Sequence, residues 1–190
     1  MEKGYKVIRI ITVAPVLALI MAGLVAGNCE GVFPSPWHLA YSMFFLGVLP
    51  LLAYPLQKYI PAYKDKGREG QRNLAIIFAA AGFMAGCLMS FALPASDGMR
   101  VIYLEYVCGA LAVLAFNKGF HIRLSGHACG ALAPVALFLY FGLYGAAAAG
   151  TALAVLVFVA SMKTKRHTFF QLMGGGLVPL ISIIVIGRFF

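Results

Sequence analysis

Residues 127–161 read HACGALAPVALFLYFGLYGAAAAGTALAVLVFVAS, and they contain no Asp, Glu, Lys or Arg. A soluble domain cannot bury an uncharged apolar run of this length, whereas a lipid bilayer accommodates it. The run divides at Tyr144-Gly145 into two short apolar segments, 127–143 and 146–161. We therefore predict two membrane helices joined in a tight hairpin.

The rest of the chain has a similar composition. The protein is 62% hydrophobic and 11% charged, with a mean hydropathy of +0.91. This predicts an all-α polytopic transmembrane helix bundle, with residues 1–190 as a single integral membrane domain. The first apolar run is nearer to a full span than to the core of a signal peptide, so we expect it to be retained. The chain has seven predicted spans, with six as the alternative: about 7–27, 38–57, 74–94, 101–117, 127–143, 146–161 and 168–187.

The charges are distributed unevenly between the two predicted membrane faces. The net charge of +9 predicts anionic partners, and lipid headgroups fit a membrane protein better than nucleic acid does. Seven alternating spans leave only Arg100 and Arg188 on one face. The positive-inside rule then places the other face and the N-terminus in the cytoplasm, and the C-terminus outside. The cytoplasmic face would hold Lys3, Lys6, Arg9, Lys58, Lys64, Lys66, Arg68, Arg72, Lys118, Arg123, Lys163, Lys165 and Arg166.

Two histidines lie on this basic face, each where a span begins. Ser125-Gly126-His127 opens the fifth span, and Lys163-Thr164-Lys165-Arg166-His167 leads into the seventh. A serine N-cap, a glycine that permits close approach and the N–H groups of a first helical turn all favour an anion. Lys118 and Arg123 flank the first histidine, so the two stretches together predict a phosphate-binding pocket.

The two histidines suggest a division of labour in phosphoryl transfer. One imidazole would attack phosphorus while the other protonates the departing alkoxide. Gln171 lies one turn after His167, where its amide can hold one tautomer of the ring. We assign no role to His38 or His121. Glu105 lies within the fourth span, and we expect either a functional role or an ion pair with Arg100.

Four cysteines, Cys29, Cys87, Cys108 and Cys129, show no spacing typical of zinc sites. We interpret them as small hydrophobic residues rather than as disulfide partners or metal ligands. The sequence does not indicate the oligomeric state.

The histidine stretches resemble the type-2 phosphatidic-acid phosphatase superfamily of membrane lipid phosphatases. Its three blocks are Lys-x6-Arg-Pro, Ser-Gly-His and Ser-Arg-x5-His-x3-Asp. The second block matches at 125–127, and a degenerate third block runs from Ala160 to His167 and on to Gln171, followed by three glycines at 174–176. Ser161 stands where the family has arginine, and Gln171 where it has aspartate. The first block has no clean match: the loop 64–73 is basic and lies on the same predicted face, but it ends in Arg-Asn instead of Arg-Pro.

The resemblance implies a phosphatase that hydrolyses the phosphate monoester of a lipid or isoprenoid phosphate without a metal or cofactor. His167 would be the nucleophile that forms a phosphohistidine, and His127 the general acid. The implied phosphate-binding residues are Ser125, Gly126, Arg123, Lys118, Lys163, Arg166, Arg72, Arg68 and Lys64.

Two other functions are compatible with the same residues. The same pocket would also serve a non-catalytic lipid-phosphate binding or transport protein, which the Ser161 and Gln171 departures favour. A haem protein with two axial histidines is the third possibility, but it gives the surrounding cations no role.

Overall fold

A computed structural model describes residues 2–190, without the side chains of Glu2, Lys3, Lys6 and Arg9. Three of the cations counted on the basic face, Lys3, Lys6 and Arg9, therefore lie outside the described side chains. Every described element is helical, which confirms the all-α prediction. The helices are α1 (Glu2–Ile11), α2 (Ala14–Asn28), α3 (Pro36–Tyr59), α4 (Gly67–Ala92), α5 (Asp97–Gly119), α6 (Gly126–Tyr140), α7 (Tyr144–Lys163) and α8 (Phe169–Ile186).

Five of these helices, namely α3, α4, α5, α7 and α8, are long and apolar enough to cross a membrane, while α2 and α6 are shorter apolar helices. Together they occupy the seven apolar runs predicted from the sequence. Large apolar side chains such as Ile76, Leu88 and Ile184 are exposed on the outside of the bundle. This exposure is compatible with a membrane protein, because large exposed apolar patches are unusual on soluble monomers.

The prediction of one continuous helix over 7–27 is wrong, because the helix is interrupted at Thr12-Val13. Val13 is extended (ψ 142°) and precedes the first turn of α2, which contains Pro15. Proline lacks an N–H and its ring clashes with the preceding turn, so it begins a helix here instead of kinking one. The Thr12 hydroxyl donates to the Ile8 carbonyl at 2.7 Å at the end of α1. Helix α1 then packs along α7.

The predicted hairpin between the fifth and sixth runs is confirmed, with its turn slightly earlier than expected. Helix α6 ends at Tyr140 and α7 begins at Tyr144. Gly142 supplies the left-handed turn (φ 73°), and the Leu143 N–H donates to the Phe138 carbonyl at 2.8 Å. The two helices are antiparallel, and α8 packs against α6 along most of its length.

Glu105 does not pair with Arg100, so that alternative is wrong. Arg100 binds Asp97 at 2.8 Å and the Ser90 carbonyl at 3.2 Å, whereas Glu105 Oε2 accepts a 2.6 Å hydrogen bond from Ser182 Oγ. Five residues along an α-helix correspond to about 140° of rotation, so Arg100 and Glu105 face different neighbours. Glu105 faces α8, and Arg100 lies beside the end of α4.

Candidate functional site

The end of α7 determines where His167 lies. Lys165 adopts a left-handed conformation (φ 51°), and its N–H donates to the Met162 carbonyl at 2.9 Å. The Arg166 N–H donates to the Ser161 carbonyl at 3.0 Å. These two bonds form a Schellman motif, which usually has glycine where Lys165 stands. The motif stops α7 and directs the chain through His167 into α8.

A capping box at the start of α8 holds the ring of His167. Thr168 Oγ1 accepts from the Gln171 N–H at 3.3 Å, and Gln171 Oε1 accepts from the Thr168 N–H at 3.2 Å. The same Oε1 lies 3.3 Å from His167 Nδ1. Since a backbone N–H can only donate, the amide atom facing Thr168 is oxygen, and that oxygen can only accept from the ring. The contact therefore places the His167 proton on Nδ1 and the lone pair on Nε2.

Ser125 caps the start of α6 as the sequence predicted. Its Oγ accepts from the Ala128 N–H at 3.2 Å, and the residue is fully buried. The hydroxyl faces its own helix, so direct phosphate binding by Ser125 stays a prediction. Gly126 is exposed at the first position of the helix. A ligand at this end would approach the backbone through Gly126.

Asn117 holds the segment before this cap and was missed by the sequence analysis. Its Oδ1 accepts from the Leu124 N–H at 2.6 Å, and its Nδ2 donates to the Leu124 carbonyl at 3.2 Å. This paired contact closes the loop between α5 and α6, which contains His121 in a left-handed conformation (φ 56°). The only sequence signal was an amide side chain at the end of an apolar run.

The starts of α6 and α8 are joined by a backbone hydrogen bond. The Ser125 N–H donates to the Gln171 carbonyl at 3.0 Å. Gly175 makes this approach possible, because a Cβ at that position would overlap the Ser125 carbonyl oxygen. Gly174 likewise lies against the Leu124 side chain. The Ser-Gly-His turn and the His167–Gln171 turn are therefore direct neighbours.

His127 lies at the second position of α6, half-buried, and its Nε2 atom is inaccessible to solvent. Gly150 of α7 packs close to Phe138 of α6. Ser161 is fully buried, and its Oγ has no hydrogen-bond partner among the described residues. The position where the resemblance expects arginine thus lies in the bundle interior.

The cations divide into two groups. Five exposed side chains lie in the segments that lead into the histidine helices, and within the described part of the chain none of them forms an ion pair with an acid. These five are Lys118, Arg123, Lys163, Lys165 and Arg166. They place positive charge beside two helix N-termini, which favours a phosphate there.

The second group, Lys64, Arg68 and Arg72, is not brought to the histidines. These residues lie around the start of α4, which packs mainly against α3 and α5, so that α5 separates them from α6 and α8. The Gln57 amide ties their loop to the end of α3, donating to the Tyr63 carbonyl at 3.0 Å and to the Gly67 carbonyl at 2.7 Å. The sequence placed both groups on one membrane face, but a shared face does not determine lateral position.

The site therefore combines two adjacent helix N-termini, a tautomer-fixed imidazole, a second imidazole and five exposed cations. In the described residues no three His, Cys, Asp or Glu side chains cluster in a way that would hold a metal ion. No family model, curated protein or solved structure matches this chain.

Proposed function

We propose that this protein is a membrane phosphatase that hydrolyses the phosphate monoester of a lipid or isoprenoid phosphate through a phosphohistidine on His167. The observation that carries the proposal is the Ser125–Gln171 backbone hydrogen bond of 3.0 Å, since it makes two histidine-bearing helix starts immediate neighbours. Each helix start offers N–H groups to the same anion, and the exposed cations flank both.

In the proposed reaction, the His167 Nε2 lone pair attacks phosphorus, and the bond between phosphorus and the lipid oxygen breaks. His127 donates a proton to that oxygen, which leaves as the lipid alcohol. A water molecule then attacks the phosphohistidine and gives its proton to His127. The P–N bond breaks, so inorganic phosphate leaves and both imidazoles return to their initial states. Gln171 keeps the nucleophilic nitrogen at Nε2 by accepting from Nδ1.

The proposal includes a membrane topology. All seven apolar helices, α2 to α8, cross the bilayer, with the N-terminus and the histidines in the cytoplasm and the C-terminus outside. The excess of Lys and Arg on one face supports this orientation. A cysteine-accessibility map of the 118–126 loop tests it, and labelling of this loop from outside intact cells would contradict it.

The decisive experiment is a phosphate-release assay of the full chain with phosphatidate, phosphatidylglycerophosphate and polyprenyl phosphates. His167→Ala and His127→Ala should each lower kcat by about 10³-fold or more. His121→Asn is the matched control, because this nearby histidine is exposed and asparagine tolerates its left-handed backbone. A radiolabelled substrate quenched in alkali should leave phosphate on wild-type protein and none on His167→Ala.

A non-catalytic lipid-phosphate binding or transport protein is the second candidate. The burial of His127 Nε2 and of Ser161 favours it, because one proton donor and the position of one expected cation both face the bundle interior. This function predicts lipid-phosphate binding with no phosphate release, no trapped phosphohistidine, and unchanged binding in His167→Ala.

A further inference from the structure

Glu105 is a buried acid that the proposed phosphatase chemistry does not use. It is 0% exposed, in the middle of α5. Oε2 accepts the 2.6 Å hydrogen bond from Ser182 of α8, and Oε1 has no hydrogen-bond partner among the described residues. An intramembrane acid is costly to keep and is usually functional.

No cation neutralises this carboxyl group within the described part of the chain. Arg100 binds Asp97 and a backbone carbonyl instead. The polar and titratable groups in electrostatic contact with Glu105 come from three helices and are all neutral or anionic types: Tyr106 and Cys108 of α5, Cys129 of α6, and Ser182 of α8. The thiol of Cys87, on α4, interacts with Cys108. A carboxylate in this setting would be a buried charge without a counter-ion, which is strongly unfavourable in an apolar core.

A second buried polar atom lies in the same region. The Tyr106 residue is 4% exposed, and its hydroxyl has no hydrogen-bond partner among the described residues. Its ring packs on Phe83 of α4, with centroids 5.1 Å apart. Two unsatisfied polar atoms in one apolar core are unusual, because buried polar groups are normally hydrogen-bonded.

We propose that Glu105 and Ser182 form an intramembrane proton-binding site, in which the carboxyl group is a neutral acid. Loss of this proton leaves an unpaired charge between α5 and α8 and weakens their packing. Ser182 lies eleven residues after Gln171 on the same helix, about 16 Å along its axis. The proton site is therefore separate from the histidine end, yet it anchors the helix that carries Gln171 and Gly175.

The direction of the pH effect follows from proton counting. The folded protein keeps the Glu105 proton, while an unfolded chain exposes the side chain and releases it above about pH 4.3. The unfolded state then binds fewer protons, so the free energy of unfolding falls as pH rises.

Thermal unfolding of the full chain in detergent between pH 5 and 9 tests the proposal. The melting temperature of the wild type should fall by about 3 °C per pH unit, and Glu105→Gln, a neutral isostere, should remove this slope without destabilising the protein at pH 8. Asp97→Asn is the control and should keep the wild-type slope. Equal slopes in wild type and Glu105→Gln would overturn the proposal, as would stabilisation at pH 8 by Na⁺ over choline, which would indicate a cation site.

Infrared spectroscopy reads the proton directly and does not depend on the unfolding transition. At neutral pH the wild type should show the carbonyl band of a protonated carboxylic acid, shifted by Ser182→Ala and absent from Glu105→Gln. A wild-type spectrum without this band at neutral pH contradicts the proposal, whether or not any variant folds.

Discussion

Two basic regions of this molecule look alike in sequence and differ in their surroundings. The histidine end (residues 118–127 and 162–171) is joined by the Ser125–Gln171 hydrogen bond and forms no ion pair with an acid among the described residues. The basic loop (residues 58–73) is tied to its own helix by Gln57 and lies beyond α5. Charge and span count place both on one predicted membrane face. Only helix packing decides which cations reach the histidines.

The largest effect should come from separating the two histidine helices. Gly175→Val places a side chain against the Ser125 carbonyl, so it should lower phosphate release by at least about 100-fold and cost about 1–3 kcal/mol of stability. Activity assays and thermal unfolding measure the two effects. Gly23→Ala in α2 is the control, because no atom lies within 4 Å of its Cβ position, and it should leave activity unchanged. Full activity in folded Gly175→Val would show that the contact is dispensable.

Removing charge at the histidine end should have the next largest effect. Lys163→Gln and Arg166→Gln together should raise KM for a lipid phosphate roughly tenfold or more, because charged hydrogen bonds to phosphate contribute about 1.5–3 kcal/mol each. Steady-state kinetics at constant ionic strength provide the measurement. An unchanged KM would mean that these exposed cations only orient the protein in the membrane.

Gln171→Glu tests how the capping-box residue acts on the His167 imidazole. Glutamate keeps the cap, and its carboxylate raises the pKa of the adjacent His167 imidazole. Attack requires the neutral ring, so the acid limb of the pH–rate profile should move to higher pH by about one unit. Gln171→Met has neither the capping group nor a carboxylate, so it shows the effect of losing the cap without an added charge beside His167. An unmoved acid limb in Gln171→Glu would mean that His167 is not the titrating nucleophile.

The smallest effect is expected in the basic loop. Arg68→Gln and Arg72→Gln together should change kcat/KM by less than about twofold, because α5 separates this loop from the histidines. The same assay as for Lys163 and Arg166 makes the comparison direct. A loss equal to that of the Lys163/Arg166 pair would show that the loop reaches the substrate, as the family resemblance implies.

Much of the fold was predictable because apolar runs and their boundaries are local properties. All seven apolar helices occupy their predicted runs, and Ser125 caps α6 as expected. The break before Pro15 was missed because a proline in an apolar run either kinks a helix or begins one. The turn at Lys165 was missed because glycine, not lysine, normally marks a Schellman motif.

Contacts between distant segments were harder to predict than the helices themselves. The His167–Gln171 contact follows from their spacing on one helix. The Glu105–Ser182 bond joins residues 77 positions apart, and no local pattern indicates it. Asn117 is intermediate, since its partner Leu124 lies only seven residues away but across a loop of irregular shape.

The sequence by itself determined the helical class, the positions of the apolar helices, and the residue types available at each helix start. These follow from hydrophobic run length, capping chemistry and charge, all of which act over a few residues. Tertiary structure alone decided that the two histidine helix starts are hydrogen-bonded neighbours, that the basic loop is not among them, and that Glu105 meets Ser182. The physical reason is that lateral helix packing depends on side-chain shape, such as the missing Cβ of Gly175, which no single segment specifies.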